Sequence, residues 1–389
     1  MTPDLCPPTP DGLHVRAVMP AALDAVGLST TSAGRTSGAD RELLGLPTAR
    51  KVCVVLVDGL GARMLAERGG HAPFLRAQLG DALTLTSTFP STTASAITAV
   101  GTGELPGVTG MLGYSVRDPA SGGVLNLIRW DGTTLSPRAW QRRDTLFEQL
   151  AARRAAGEAL PDVVSVGPAR FVGSGLTEAA LRGMRNVSAE SLAERVDATC
   201  AQLRRKDVAA VYLYWGDVDH VGHEHGWGSW QWGEEITATD GELARLARSL
   251  PRGTLLLVTA DHGMVDVGAR VDVAHRPGLA QDVELVAGEP RANHVYTAAG
   301  TAAAVADRWR EELGETAWVL ERDELIERGL LGEVADDRRE TVGDVVALMR
   351  ADHAVVDSRT QPPKSLEMVG MHGSLTPGEM LVPLVRTVV

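Results

Sequence analysis

The sequence predicts an α/β fold: a largely parallel central sheet sandwiched by helices, with a small α+β cap inserted late in the chain. Three observations predict it. Apolar, β-branched runs recur along the chain, as expected of strands buried on both faces of a parallel sheet. Segments with apolar residues at spacings of three and four separate those runs, several starting at Ser, Thr or Asp caps. Between residues 270 and 365 this alternation gives way to shorter units.

Taken in order, residues 1–49 are rich in Pro, Thr and Gly and read as an arm with one short helix near Ala21 to Val26. Residues 50–389 then form the main domain. "KVCVVLVDGLG" (51–61), "DVVSVG" (162–167), "VAAVYLYW" (208–215) and "TLLLVTADHG" (254–263) are the buried strands. "ARMLAERGG", "DTLFEQLAARRAAG", "SAESLAERVDATCAQLRRK" and "TDGELARLARSL" are the helices around them. Within 270–365, "QDVELVAGEPRANHVYTA", "AVADRWREEL" and "AWVLERDEL" make the inserted subdomain, and the chain returns through "VGMHGS" to a last strand, "MLVPLV". Strand, helix, strand, repeated, is an α/β sandwich.

Composition narrows the partners. With 389 residues, 44% of them hydrophobic, a large core can be buried. A net charge of -12 with no run of Lys or Arg argues against a nucleic-acid groove or an anionic membrane as the main partner. Three widely spaced cysteines imply no disulfide framework. No apolar run reaches the roughly 18 residues of a membrane helix and the start lacks a signal-peptide pattern, so the expectation is a cytoplasmic protein without a membrane partner.

Three strands lead to acids: Asp58, Asp219 and Asp261. Open α/β sheets bind ligands beyond the carboxyl ends of their strands, so these carboxylates should share one crevice. A lone acid there is ordinarily a cap or turn residue, but here His223 comes four residues after Asp219, His262 adjoins Asp261, and His372 stands in a Gly-flanked turn. Oxygen and nitrogen donors without thiolate suit zinc, manganese or iron. Hydroxyls crowd one further stretch, "TLTSTFPSTTASAITAVGTG" (84–103), where a helix beginning at Thr93 would present free N–H groups and a positive dipole end to an anion.

The pieces "VDGLG", "PSTTASAITAVGTGELPGVTG", "DVDHVGHEHG", "TADHGM" and "MHGS" resemble, in order, the alkaline phosphatase superfamily, and within it the type I phosphodiesterase and nucleotide pyrophosphatase family. That resemblance implies a metal-dependent phosphoester hydrolase, with two divalent metal ions, zinc before manganese or iron, and a covalent phosphothreonine. Asp219, His223 and His372 would hold one ion; Asp58, Asp261, His262 and the nucleophile the other. The helix-to-"TG" spacing makes Thr93 the nucleophile, with Thr92 the runner-up, while Thr88 of "TFP" is the competing register. Tyr114 falls where the family often has an Asn that donates to a phosphoryl oxygen, and Arg117 lies close by. The expected partner is a small-molecule phosphoester, with a diester preferred. A phosphomonoesterase or phosphonate hydrolase of the same superfamily is the alternative, and from another class a noncatalytic metal-stabilised binding protein.

Overall fold

The computed structural model describes residues 5–389. Its centre is a seven-stranded sheet in the order Leu83–Thr86, Leu381–Val388, Thr254–Thr259, Lys51–Val57, Val208–Trp215, Asp162–Gly167, Arg185–Ser188. All neighbours from Thr254–Thr259 to Arg185–Ser188 pair in parallel. Leu381–Val388 alone runs against them, zipped antiparallel between Thr254–Thr259 and Leu83–Thr86. The central strands are buried on both faces, which is why their sequences are continuous apolar runs.

Helices flank this sheet. Leu192–Arg204 packs on Val208–Trp215 and Asp162–Gly167, and begins with a capping box between Ser191 and Glu194. Leu146–Ala155 starts with the same device, Thr145 with Glu148. The helix expected from "TDGELARLARSL" begins earlier than its periodicity indicates, capped by Ser229 and running Trp230–Ser249, because Trp232 and Ile236 extend its buried face. Residues 5–49 are no trailing arm: Val18–Ala25 packs on Lys51–Val57, a second helix spans Ser37–Leu43, and Val15, Met19, Leu23 and Leu44 belong to the main core.

The late segment forms a smaller antiparallel sheet, ordered Val283–Glu289, Ala292–Thr297, Val345–Met349, Ala317–Glu321. Its two faces are both covered, in keeping with the period of two. Val345, Ala347 and Met349 pack with Trp309 of the Ala302–Leu313 helix, whereas Val346 and Leu348 join Phe89, Ala94 and Leu112 of the main domain. A fully buried ion pair locks the join: Arg291 Nε and Nη2 donate to Glu379 Oε1 and Oε2 at 2.7 and 2.9 Å, and Glu379 also accepts the Ser374 N–H at 2.9 Å. Ser374 lies two residues past His372, so the pair also fixes the turn carrying that imidazole. Among the described residues no helix is long and apolar enough to cross a membrane.

Candidate functional site

Lys51–Val57, Thr254–Thr259 and Val208–Trp215 are adjacent and parallel, so the chain leaves all three at one edge of the sheet. Asp58 comes directly after the first strand, Asp261 follows the second after Ala260, and Asp219 sits in the first turn of the Asp217–His225 helix. Gly59, at φ 73°, permits the convergence: a Cβ there would lie 2.9 Å from the Asp219 Cβ. His223, one helical turn after Asp219, places Nε2 3.2 Å from Asp219 Oδ2. His262 Nε2 lies 3.3 Å from Asp58 Oδ1 and 3.5 Å from Asp261 Oδ2, and His372 Nε2 is 3.9 Å from Asp219 Oδ1. The rings of His262 and His372 stack with centroids 3.7 Å apart.

Backbone carbonyls orient all three imidazoles. Nδ1 of His262 faces Gly263 O at 3.0 Å, that of His372 faces Ser91 O at 2.9 Å, and that of His223 faces Gly370 O at 2.7 Å. An N–H at Nδ1 turns each Nε2 toward the acids. The carboxylate atoms opposite, Asp58 Oδ1, Asp261 Oδ2 and Asp219 Oδ1, are buried with no hydrogen-bond partner among the described residues. Acceptors thus face acceptors in a dry space, an arrangement that divalent cations would satisfy. The donor atoms of Asp58, Asp261 and His262 lie within 4.8 Å of one another, as do those of Asp219, His262 and His372. His262 therefore reaches both groups, whereas the expected set gives it to one and His223 to the other; His223 instead stands beside the second oxygen of Asp219.

Protons answer the same crowding. Burial, then the Asp261 and Asp219 carboxylates, pushes Asp58 well above the usual carboxylate range, although the Tyr214 hydroxyl donates to its Oδ2. Burial opposes ionisation of Asp219, but the three imidazoles prevail and lower its pKa. Burial disfavours a charged His223, yet Asp219 raises it to about 9, while burial and then His262 hold His372 well below its ordinary value.

The crowded hydroxyls sort themselves. Thr88 Oγ1 donates to Pro90 O at 3.0 Å, Ser91 Oγ to Ser374 O at 2.7 Å, and Ser95 Oγ to Met111 O at 2.7 Å. Ser87 bonds Asp261 O, and Thr92 bonds the Glu289 carboxylate. Thr93, first residue of the Thr93–Thr102 helix, has its Oγ1 3.2 Å from His262 Nε2. Of the three hydroxyls weighed as nucleophile, Thr93 is the one hydrogen-bonded to the acid and imidazole cluster, while Thr88 and Thr92 are engaged elsewhere. The helix runs close to its surroundings, for a Cβ on Gly101 would sit 1.9 Å from Ala180 O.

Two cavities meet at Thr93 and Asp219. One, of about 220 Å³, is walled by Ile97, Ile128, Phe171, Leu176 and Val187 with Tyr212 and Tyr214. The other, of about 430 Å³, adds Thr92, His223 and His372, with Tyr114, Asn126, Arg129 and Glu289. Tyr114 stands at its rim, 39% exposed. Arg117 turns away, paired to Glu284 at 2.6 Å. Trp130, Trp140 and Trp232 are core residues, and Trp230 is 67% exposed. Sequence reasoning missed Tyr214 and Glu289. Period-two alternation in "VYLYW" put Tyr212 and Tyr214 on one face and was a usable signal. Glu289 had none, since it arrives from the smaller sheet, where burial raises it to about 7 against its bonds from Thr92 and the Tyr114 N–H.

The chain matches the family model "Type I phosphodiesterase / nucleotide pyrophosphatase" over residues 52–375. Among solved structures it resembles murine ectonucleotide pyrophosphatase / phosphodiesterase 5, with 17% identity and a TM-score of 0.68 over 86% of this chain and 87% of that one. An inactive threonine-to-alanine form of that mouse protein, in complex with AMP, gives 17% and 0.67. Phosphonoacetate hydrolase from Sinorhizobium meliloti, in complex with phosphonoacetate, gives 19% and 0.67 over 92% of each chain. These likenesses are likenesses of fold. No curated protein matches the sequence significantly.

Proposed function

The chain belongs to the type I phosphodiesterase / nucleotide pyrophosphatase family, a family of phosphoric ester hydrolases, and from that premise we propose that it cleaves a small phosphodiester or pyrophosphate through a covalent phosphothreonine at Thr93. The meeting of two cavities at Thr93 and Asp219 carries this reading. A diester phosphorus has two ester arms, and a phosphoryl group beside Thr93 would have a separate space for each. The first space is apolar and has no Lys or Arg in its walls, which suits an uncharged ester group.

Asp58, Asp261 and His262 would hold one divalent cation, and Asp219 and His372, with His223 or His262, the other. Such ions, zinc being our first choice, supply Lewis acidity and the positive field that a chain of net charge -12 lacks. The remaining work belongs to the chain. Thr93 Oγ1 attacks phosphorus in line with the departing ester oxygen, forming the P–O bond of phosphothreonine as the P–O bond to the leaving group breaks. Free N–H groups at the start of the Thr93–Thr102 helix face the equatorial oxygens. Water then attacks from the opposite side and releases Thr93, so phosphorus is inverted twice and its configuration retained. Tyr214 restrains the second oxygen of Asp58 throughout. Support for the nucleophile also comes from the murine relative, where threonine-to-alanine replacement gives an inactive protein.

The test is a ratio. kcat/KM for bis-p-nitrophenyl phosphate should exceed that for p-nitrophenyl phosphate at least about tenfold, or roughly 1.4 kcal/mol. A reversed ratio would move the protein to the phosphomonoesterases. Phosphonate hydrolysis is the second reading, favoured by Arg129, the one Lys or Arg among the residues lining the larger cavity. Its exposed pair with Asp131, at 3.3 Å, is weak enough to exchange for the anionic end of a substrate such as phosphonoacetate. Turnover of phosphonoacetate above that of the diester would establish it.

A further inference from the structure

Asn126 closes the short strand Val124–Asn126 and lies opposite Ser115 in the hairpin that roofs the larger cavity. It is 8% exposed. Its Oδ1 accepts the N–H groups of Ile128 and Arg129, each at 2.9 Å, and these two bonds fix which way the carboxamide points. With the oxygen turned to its own backbone, Nδ2 is turned outward. Nδ2 has no hydrogen-bond partner among the described residues, and Asn126 lines the cavity that also holds Thr92, Thr93, Asp219 and His372.

Neighbouring donors on the hairpin are engaged or displaced. Ser115 Oγ accepts Gly288 N–H at 3.1 Å and donates to Gly288 O at 3.3 Å. The Tyr114 N–H goes to Glu289 at 2.7 Å, and its phenol stands at the exposed rim. Building on the phosphoryl-transfer reading above, we propose that Asn126, and not Tyr114, is the hairpin's oxyanion donor, its Nδ2 hydrogen-bonding a non-bridging phosphoryl oxygen of the group attacked by Thr93. The donor is held before substrate arrives, because the turn after it has already fixed the amide. Such preorganisation is what makes a donor effective against charge that grows in the transition state.

Asn126→Asp separates this role from a structural one. The aspartate keeps an oxygen for Ile128 and Arg129 but replaces the donor with a negative charge, so the neutral Asn126→Ser is measured beside it and a loss confined to the aspartate overturns the donor role. In the metal-loaded full chain, Asn126→Asp should lower kcat/KM for bis-p-nitrophenyl phosphate about 100-fold or more, chiefly through kcat, and weaken orthovanadate binding at least tenfold. Tyr114→Phe should change either value less than threefold. Should Asn126→Asp fail to fold, Asn126→Ser, which retains a turn acceptor, is read in its place. Activity and vanadate binding within threefold of wild type in the Asn126 variant, or the loss appearing in Tyr114→Phe instead, overturns the assignment. Wild type that binds vanadate but does not cleave the diester removes the diesterase reading alone; the vanadate ratio then decides for or against Asn126.

Discussion

Divalent cations should bind more tightly as pH rises, and the metal-free site sets by how much. His223 is the first source of the effect: burial works against its charge, but Asp219, 3.2 Å away, raises its pKa to about 9. At pH 7 it carries a proton that must leave before Nε2 can serve as a ligand. Asp58 is raised as well, by burial and then by Asp261 and Asp219. His372, kept neutral by burial and His262, has no proton to lose there. The His223 proton belongs to the cation held with Asp219 and His372. Each proton released makes binding more favourable by about 1.4 kcal/mol per pH unit while its group stays protonated in the metal-free protein. Between pH 6 and 8 the affinity at the Asp219 cation should therefore rise about 100-fold, levelling off near pH 9. The raised His223 pKa stabilises the metal-free fold fully below about 6.5, its ordinary value, and that contribution fades as pH climbs through about 9. Calorimetric titration of the EDTA-stripped protein with zinc or manganese at pH 6, 7 and 8, in buffers of different ionisation enthalpy, reads both affinity and protons. Affinity independent of pH, or no proton released at pH 7, would refute this account. A His223→Gln protein should bind the cation beside Asp219 more weakly and with a flattened pH slope.

Two further outcomes rest on single residues. Thr93→Ala should reduce diester turnover at least about 10³-fold and abolish the phosphopeptide trapped after acid quench. Thr88→Ala, which loses one buried hydrogen bond, should keep kcat within threefold and cost about 1 kcal/mol of stability; the opposite ranking in kinetics would transfer the nucleophile to Thr88. Arg291→Met strands Glu379 as a buried, unpaired charge and should cost about 3–5 kcal/mol. Taking about 2.1 cal/mol/K per residue, the unfolding entropy of 389 residues is about 0.8 kcal/mol/K, so Tm should fall about 4–6 °C. Arg291→Met/Glu379→Leu should recover most of that loss by differential scanning calorimetry, and a double variant no more stable than the single would contradict the reading.

What was legible in the sequence was whatever depends on neighbours along the chain. The buried strands announced themselves as β-branched runs, and the acids at their ends could be placed together because parallel strands deliver their carboxyl ends to one edge. Asp219 and His223 met as expected of a helical i, i+4 pair. Three features escaped. Residues 1–49 read as an arm with one short helix near Ala21 to Val26, but the place of residues 5–49 in the core does not show, because Val18–Ala25 is buried almost all round and carries no polar stripe to mark its packed face. The sharing of His262 between two donor groups depends on distances below 4.8 Å between side chains from separate strands, beyond the reach of spacing rules. Tyr114 stands at the cavity rim, and Asn126, from the paired strand, lines the same cavity without any sequence signal, because a hairpin presents residues from two strands to one space.

The antiparallel strand Leu381–Val388 has a consequence for how the protein comes into being. Leu83–Thr86, the strand that leads to Thr93, has Leu381–Val388, some three hundred residues further along, as its one strand partner among the described residues, and apart from it a single bridge from His14 to Thr86. During synthesis the parallel core can begin to pair as soon as its own strands appear, while Leu83–Thr86 waits for its strand partner. On the proposed mechanism Thr93 is thus among the last groups to be fastened, and a nascent chain should stay inactive until its final sheet strand arrives. Chains stopped at residue 380 should neither cleave the diester nor protect the amides of residues 83–86 from hydrogen exchange; turnover by such a truncated chain would show that Thr93 is held without that strand.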